Sequence, residues 1–436
     1  MLRIIRTIAT TWLLCMVVLC NVVVAQMGHI LDAVGPVNQS MAGAGIALPL
    51  DATSALHWNP ASISWLNRSE IGFGFAAFGS EVDLSSQVQQ DAFGPGAPPM
   101  ALSGRTKSDN DINPIPTMGF VCHSPEGPVT FGLGGFAIGG FGVNYPGDPS
   151  NPILTPQPAQ GGMGFGPIYS QFQLMQFAPT VSVKVSDSFS VGLAPTVNWA
   201  TLAMDPFAAA IPNPDSTYAP ATHADVAWGL GFQAGMMYQH CSGLSLGVLY
   251  KSPQWFQEFK FNSYDQLGSP RWFQFNMDYP AIFGVGLGWQ GSNRWSLATD
   301  VKYVDYKNTD GFNAWGFWPS GAVRGFGWNS IWVVSTGVQY QWSPRLALRC
   351  GYMFNENPIS SSVAFFNATA PGIIQHHLSA GFTLAMKGGW DFDTAFHHGF
   401  ANQISGPWYG PNAIPNTAAT SRLATYTLSV GLRKRF

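Results

Sequence analysis

The sequence predicts an all-β fold: a transmembrane antiparallel β-barrel of about 14 strands with an N-terminal plug, or hatch, containing short helices. Three observations carry that expectation. The last residues alternate, with Tyr426, Leu428, Val430, Leu432 and Phe436 on one face of an extended segment and Thr425, Thr427, Ser429, Gly431, Arg433 and Arg435 on the other. Only Lys434 breaks the apolar face. Such a strand suits a wall with hydrocarbon outside and polar groups inside. Charged residues are 10% of the chain against roughly 25% in soluble domains, while aromatic residues are 14% and hydrophobic content is an ordinary 46%. Finally, beyond residue 25 no apolar run reaches about eighteen residues, so a membrane crossing has to be made by strands.

Residues 1–25 read as a signal peptide. Arg3 and Arg6 precede an apolar run from Ile8 to Val24, and Val23-Val24-Ala25 is a small-residue cleavage site, so the mature chain begins near Gln26. An uncleaved anchor is the alternative, but the run is short and barely followed by charge. Leu19 is bulkier than a lipid-attachment site at Cys20 normally allows. Export and an aromatic terminal residue closing the final strand, similar to the assembly signal of bacterial barrels, together point to the bacterial cell outer membrane and to the barrel-assembly machinery and outer-membrane lipid as partners.

Residues 26–69 form the expected plug, since Met27 to Arg68 shows little alternation and reads as short turns and helices. An even strand count that ends in the periplasm also starts there, so this segment enters from the periplasmic side. Residues 70–436 form the barrel. Its strands are expected over approximately 70–80, 112–123, 129–142, 168–185, 189–204, 226–239, 243–262, 270–290, 293–307, 328–342, 345–355, 375–386, 388–398 and 421–436. Short connections alternate with long ones, which include 81–111, 143–167, 205–225, 308–327, 356–374 and 399–420, as short periplasmic turns and long extracellular loops do. Leu346, Leu348, Cys350, Tyr352 and Phe354 share an outward face, and Lys302 and Arg349 point inward.

Several function classes fall away. A net charge of -3 favours neither nucleic acid nor an acidic surface. Cys122, Cys241 and Cys350 are odd in number without CxxC spacing, so neither a disulfide framework nor a zinc site follows. His376-His377 and His397-His398 are adjacent pairs whose members face opposite ways, so neither pair shares one ion, although single histidines from separate strands can meet in the lumen. No metal and no cofactor is assigned. Walker and HExxH motifs are missing from the sequence, and no catalytic residues are assigned.

Gly43-Ala44-Gly45-Ile46-Ala47, then Asp51-Ala52-Thr53-Ser54-Ala55-Leu56, then Asn59-Pro60-Ala61 resemble the hatch signature of the long-chain fatty acid outer-membrane transporters of the FadL/TodX type. Later matches lie in order: Gly229 to Gly235 with Tyr250-Lys251-Ser252-Pro253, Tyr279-Pro280, Gly286-Leu287-Gly288, Asp300 to Tyr303, and Arg349 to Tyr352 with Asn357-Pro358. The resemblance implies fourteen strands, a plug ending in the Asn-Pro-Ala turn, and passive uptake of long-chain fatty acids or related hydrophobic compounds through a lateral opening. It also makes Asp51, Asn59, Pro60 and Ala61 hatch or gating residues. In the family a kinked third strand opens the wall. The matching strand here, Val129 to Gly142, is crowded with glycine, and Gly139-Gly140 is the expected kink.

The expected ligand is a hydrophobic small molecule, a fatty acid or an aromatic hydrocarbon, carried by a monomer. A twelve-carbon tail gains on the order of 10 kcal/mol in a fully apolar pocket, so release requires the plug to weaken the site. A carboxylate needs a cation or several donors, for which Lys302 and Arg349 are the candidates. An outer-membrane lipid or peptide hydrolase and a nonspecific porin are the rival classes; the first lacks a nucleophile constellation, and the plug opposes the second.

Overall fold

The computed structural model describes residues 27–124, 127–291 and 294–436, so the expected signal peptide and Gln26 lie outside the described residues. Among the described residues, the strands are β1 (Glu70–Val88), β2 (Leu102–Lys107), β3 (Asn113–Cys122), β4 (Val129–Tyr145), β5 (Ile168–Ser186), β6 (Phe189–Asp205), β7 (Ala221–Gln239), β8 (Leu244–Lys251), β9 (Trp255–Phe256), β10 (Phe259–Tyr264), β11 (Pro270–Phe275), β12 (Ile282–Gln290), β13 (Trp295–Val304), β14 (Ile331–Ser343), β15 (Leu346–Asn355), β16 (His376–Ala385), β17 (Trp390–Tyr409) and β18 (Ala413–Arg435). Fourteen of them follow one another in an antiparallel wall that closes where β18 pairs β1, from Glu70 opposite Arg435 to Val88 opposite Thr417. β2 adds to the upper part of β1, β9 adds to β7, and β10 with β11 makes a separate ribbon.

Alternation decides which way each side chain faces. On β18, Leu428, Val430 and Leu432 are exposed on the outside, while Thr425, Thr427, Ser429 and Arg433 are buried on the inside. Cys350 is exposed on the outer face, where its strand phase puts it. Cross-strand aromatic pairs mark both ends of the β13–β14 ladder: Trp295 with Tyr340 at 4.5 Å and Tyr303 with Trp332 at 5.0 Å between ring centroids. Their amphipathic rings suit the two interfaces of a membrane.

The wall differs from the expected spans in four places, the first being that β1 runs on to Val88 and β2 lies within the expected connection 81–111. Residues 243–262 do not form one strand; β8 ends at Lys251, and after Ser252-Pro253 the short β9 pairs with β7 before the chain leaves the wall in β10. Residues 270–290 split likewise into β11 and β12 on either side of Tyr279-Pro280, since proline lacks the amide that a central ladder needs. The expected long connection 399–420 is mostly strand: β17 and β18 continue upward and are joined only through residues 410–412.

The lumen is filled by the segment before β1. It contains α1 (Gly35–Ser40), α2 (Ala52–Trp58) and a 3-10 turn over Pro60–Trp65, and from Met27 through Ser64 every residue except Pro49 and Leu50 is buried. Asp51 starts α2 as its N-cap, accepting from the Ser54 amide, and Pro60 fixes the first torsion of the 3-10 turn. Met27 lies at the loop end, where its carbonyl accepts from Tyr306 Oη at 2.7 Å. Ser69 lies at the turn end, where its carbonyl accepts from the Phe436 amide at 3.1 Å. The plug therefore runs the height of the barrel.

Deleting Phe436 removes an outward aromatic anchor and a bond at the β1–β18 seam, the pairing that leaves no strand edge in lipid. The expected result is a severalfold loss of heat-modifiable, folded protein in outer membranes. Wild-type levels would show that the seam closes without it.

Candidate functional site

The hatch residues are held by specific contacts to the wall. Asn59 has extended backbone geometry, its Oδ1 accepts from the Ala61 amide at 3.0 Å, and its Nδ2 donates to the carbonyls of Ile46 at 2.8 Å and Met236 at 3.1 Å. One amide side chain thus ties the Asn-Pro-Ala corner to an earlier plug loop and to β7. The Ala61 carbonyl accepts from the hydroxyls of Ser182 and Ser190 at 3.1 and 2.9 Å. β7 carries Gly235 opposite this corner, where a Cβ would stand 2.0 Å from Asn59 Oδ1 and 2.9 Å from Pro60 Cδ. A glycine is required there by close approach. The sequence alone does not mark this wall partner as a site residue, because its need appears only when β7 faces the plug.

Charge holds the rest of the plug. Asp300 Oδ2 accepts from the amides of Gly45 and Ile46 at 2.8 and 3.1 Å, and Lys302 Nζ donates to the Gly43 carbonyl at 2.9 Å while lying 4.1 Å from the centre of the Trp58 ring. Burial, then the Lys251 charge, pushes the His57 imidazole well below its ordinary value. Held neutral, its Nδ1 can accept from Lys251 Nζ at 3.1 Å. At the turn end, Arg433 makes a bidentate pair with Asp393 at 2.5 and 2.9 Å and reaches Glu70, whose other oxygen accepts from the Ala52 amide. Burial pushes the Asp51 carboxyl up, with Arg433 opposing.

Lys302 and Arg349 both point inward, as expected. Lys302 is committed to the plug, and Arg349 donates through Nε to Gln339 Oε1 at 2.7 Å. Neither lines either of the two cavities described next.

The wall loosens beside β4. Its register on β5 shifts between Ala137 and Gly139, and its pairing with β3 ends at Phe136 opposite Thr117, although β3 continues to Asn113 against β1. Pro114 and Pro116 remove two amide donors from the unpaired stretch of β3. Between that stretch and Gly139–Val143 lies a cavity of about 500 Å³. The start of the plug covers its inner side like a strap: the Leu31 amide donates to the Ile138 carbonyl at 3.0 Å, and the Gly140 amide donates to the His29 carbonyl at 2.8 Å.

A second cavity, of about 80 Å³, lies among the loops between Phe165, Phe207, Phe317, Phe326 and Phe365. No lysine or arginine lines it. The Phe326 ring there is 5.8 Å from Phe141 of the larger cavity, and Phe141 is 5.2 Å from Phe172. The Phe141–Phe326 contact thus lies between the two spaces.

No metal site is assigned from the sequence, which leaves open a meeting of single histidines from separate strands. One member of each adjacent pair, His377 and His397, faces inward, and the two converge on Asp32 of the plug. Strand phase put each of them inside, but their meeting depends on the β16–β17 register and on the plug.

A closed fourteen-strand wall, a lumen filled by its own N-terminal segment and a break beside the third barrel strand define a plugged membrane channel. A family model described as outer membrane protein transport protein (OMPP1/FadL/TodX) matches residues 18–407, and the chain belongs to that family of outer-membrane transport proteins. Its fold is similar to the toluene transporter TodX of Pseudomonas putida, with TM-score 0.68 and 16% identity over 93% of this chain and 99% of that one. A FadL homologue of Pseudomonas aeruginosa gives TM-score 0.67 at 16% identity, covering 94% and 99%. The toluene transporter TbuX of Ralstonia pickettii gives 0.67 at 18%, covering 93% and 99%. No curated protein matches the chain in sequence.

Replacing Asn59 with alanine strands the Ile46 carbonyl and the Ala61 amide, at a cost of about 1–3 kcal/mol for each buried group left unpaired. The barrel should still form, because its own ladder closes it. Single-channel recordings of the purified variant should show higher open probability than wild type, and identical traces would remove Asn59 from plug retention.

Proposed function

We propose that the protein is a passive outer-membrane channel for small hydrophobic compounds, which enter through the loop cavity, pass the Phe141–Phe326 contact and leave sideways through the gap beside β4. The observation that carries this reading is the adjacency of an apolar loop cavity to the one stretch of wall, among the described residues, where β3 and β4 part. Asp51, Asn59, Pro60 and Ala61 hold the plug in this scheme, and Gly139 and Gly140 form the floor of the exit.

Neutral ligands of monoaromatic size are favoured. A bound carboxylate needs compensating charge or several donors, whereas the loop cavity has an apolar lining and both inward cations expected from the sequence are engaged elsewhere. An apolar cavity of about 150 Å³ holds benzene, so the loop cavity has to widen on capture. A fatty acid is the second reading, supported by Asn144, Gln171 and Gln173, which line the gap cavity and could donate to a carboxylate.

Release follows from the strap. Its two backbone bonds to β4 contribute about 1 kcal/mol each, small enough for a bound ligand to displace them if it binds the displaced state better. The wall then opens beside Gly139 without unfolding.

The substrate class is tested by uptake of radiolabelled toluene and oleate into cells expressing equal folded protein. Toluene should enter severalfold faster than in cells lacking the protein, with a smaller effect on oleate. The reverse order would favour the carboxylate reading. A large ungated conductance would instead mark a porin.

A Cβ at Gly139 would stand 3.0 Å from the His29 carbonyl, and one at Gly140 would stand 2.8 Å from the Phe172 carbonyl. Replacing both glycines with valine should therefore fill the exit and slow toluene uptake severalfold, while leaving heat-modifiable protein at wild-type levels. Equal uptake rates would place the exit elsewhere.

A further inference from the structure

The inner faces of β16 and β17 and the first residues of the plug bring three metal-ligand side chains to one buried point. Ser379 lies opposite His397 in the ladder, so His377, two residues before Ser379, is the diagonal neighbour of His397 on the lumen side. The two imidazoles stand 5.9 Å apart between centroids at 80°. Asp32 Oδ2 is 2.8 Å from His397 Nε2 and 3.9 Å from His377 Nδ1, and the three ligand atoms all lie within 4.8 Å of one another. All three residues are buried, and none of these atoms has a geometrically sound hydrogen bond among the described residues.

The tautomer of His377 is set by its neighbour. Asn355 donates through Nδ2 to the carbonyls of Glu356 and Ile374 at 3.0 and 2.8 Å, so its Oδ1 is the atom facing His377 Nε2 at 2.6 Å. Nε2 therefore carries the proton and donates, and Nδ1 presents a bare lone pair toward Asp32. Such a bond from the far nitrogen orients a metal-binding imidazole and raises its basicity. Asp32 supplies the anionic oxygen. Donors bound tetrahedrally at ordinary zinc distances lie ~3.4 Å apart, and the two measured separations from Asp32 straddle that value.

We propose that Asp32, His377 and His397 bind a divalent transition metal, with zinc the best fit to two imidazoles and one carboxylate, and that the ion fastens the plug to the wall. Asp32 directly follows Leu31, whose amide holds the strap on β4. An ion at this point ties the strap to β16 and β17 and slows the opening of the gap. The control of uptake rests on the proposed sideways route, whereas metal binding does not.

The test uses the full barrel purified in detergent, stripped with a chelator and titrated with Zn²⁺. One zinc should bind per barrel, and Asp32→Asn and His397→Gln should each weaken it at least tenfold while remaining heat-modifiable. X-ray absorption of the wild-type zinc form should show two imidazoles and an oxygen ligand, which keeps the proposal decidable if the variants fail to fold. A wild-type barrel that retains no zinc, equal affinity in folded variants, or thiolate ligands would overturn the site. In cells, chelation should raise toluene uptake severalfold in wild type and leave Asp32→Asn unchanged. Zinc binding with no change in wild-type uptake on chelation would overturn control of the strap while leaving the binding site standing.

Discussion

Every peptide group that meets hydrocarbon needs a partner within the protein, and the whole molecule is arranged around that requirement. The β1–β18 seam meets it globally, joining the ends of a wall whose strands are otherwise near neighbours in sequence. The requirement also sets the difficulty at the heart of a sideways exit, since an opening in the wall is a pair of strand edges with unpaired groups. Here β3 spends two prolines on its free stretch, and the strap supplies partners to β4 at Ile138 and Gly140. The plug therefore completes the wall as well as blocking the lumen.

Apolar side chains of the plug such as Ile46, Leu56 and Trp58 pack into the same core as the wall, and polar contacts fix where the plug sits. Its seat includes the Asn59 amide, the Asp300 and Lys302 side chains, the Ala61 carbonyl and the Arg433 cluster, each tied to a particular strand. Directional bonds fix one position among the many that apolar packing alone would allow. The aromatic surface is instead concentrated among the loops and at Phe141 and Phe172, along the proposed path.

Much of the architecture was legible because a period of two is hard to counterfeit over ten residues. The facing of Leu428, Cys350, Lys302 and Arg349 follows from phase alone. The misread spans have a common cause: β10 and β11 alternate as wall strands do, and only Pro253 and Pro280 betray that they leave it. The upper parts of β17 and β18 resemble a loop in sequence because polar residues on their outer face look like solvent-exposed chain. The positions of Asn59 and Gly139 came from motif resemblance, whereas Gly235 and the Asp32–His377–His397 grouping need the strand register and the path of the plug. The inward direction of Lys302 was legible, but its partner was not, since Gly43 is 259 residues away in sequence.

The tall hairpin of β17 and β18 changes where a solute first meets the protein. Above Tyr426 the outward positions of β18 become Arg422, Thr420 and Ala418, so about ten residues stand clear of the apolar band. At ~3.4 Å per residue and a tilt of ~40°, that is a chimney ~25 Å high, comparable with the ~25 Å hydrocarbon layer below it. On the proposed route, a solute meets the rim of this chimney well before it reaches the level of the apolar band.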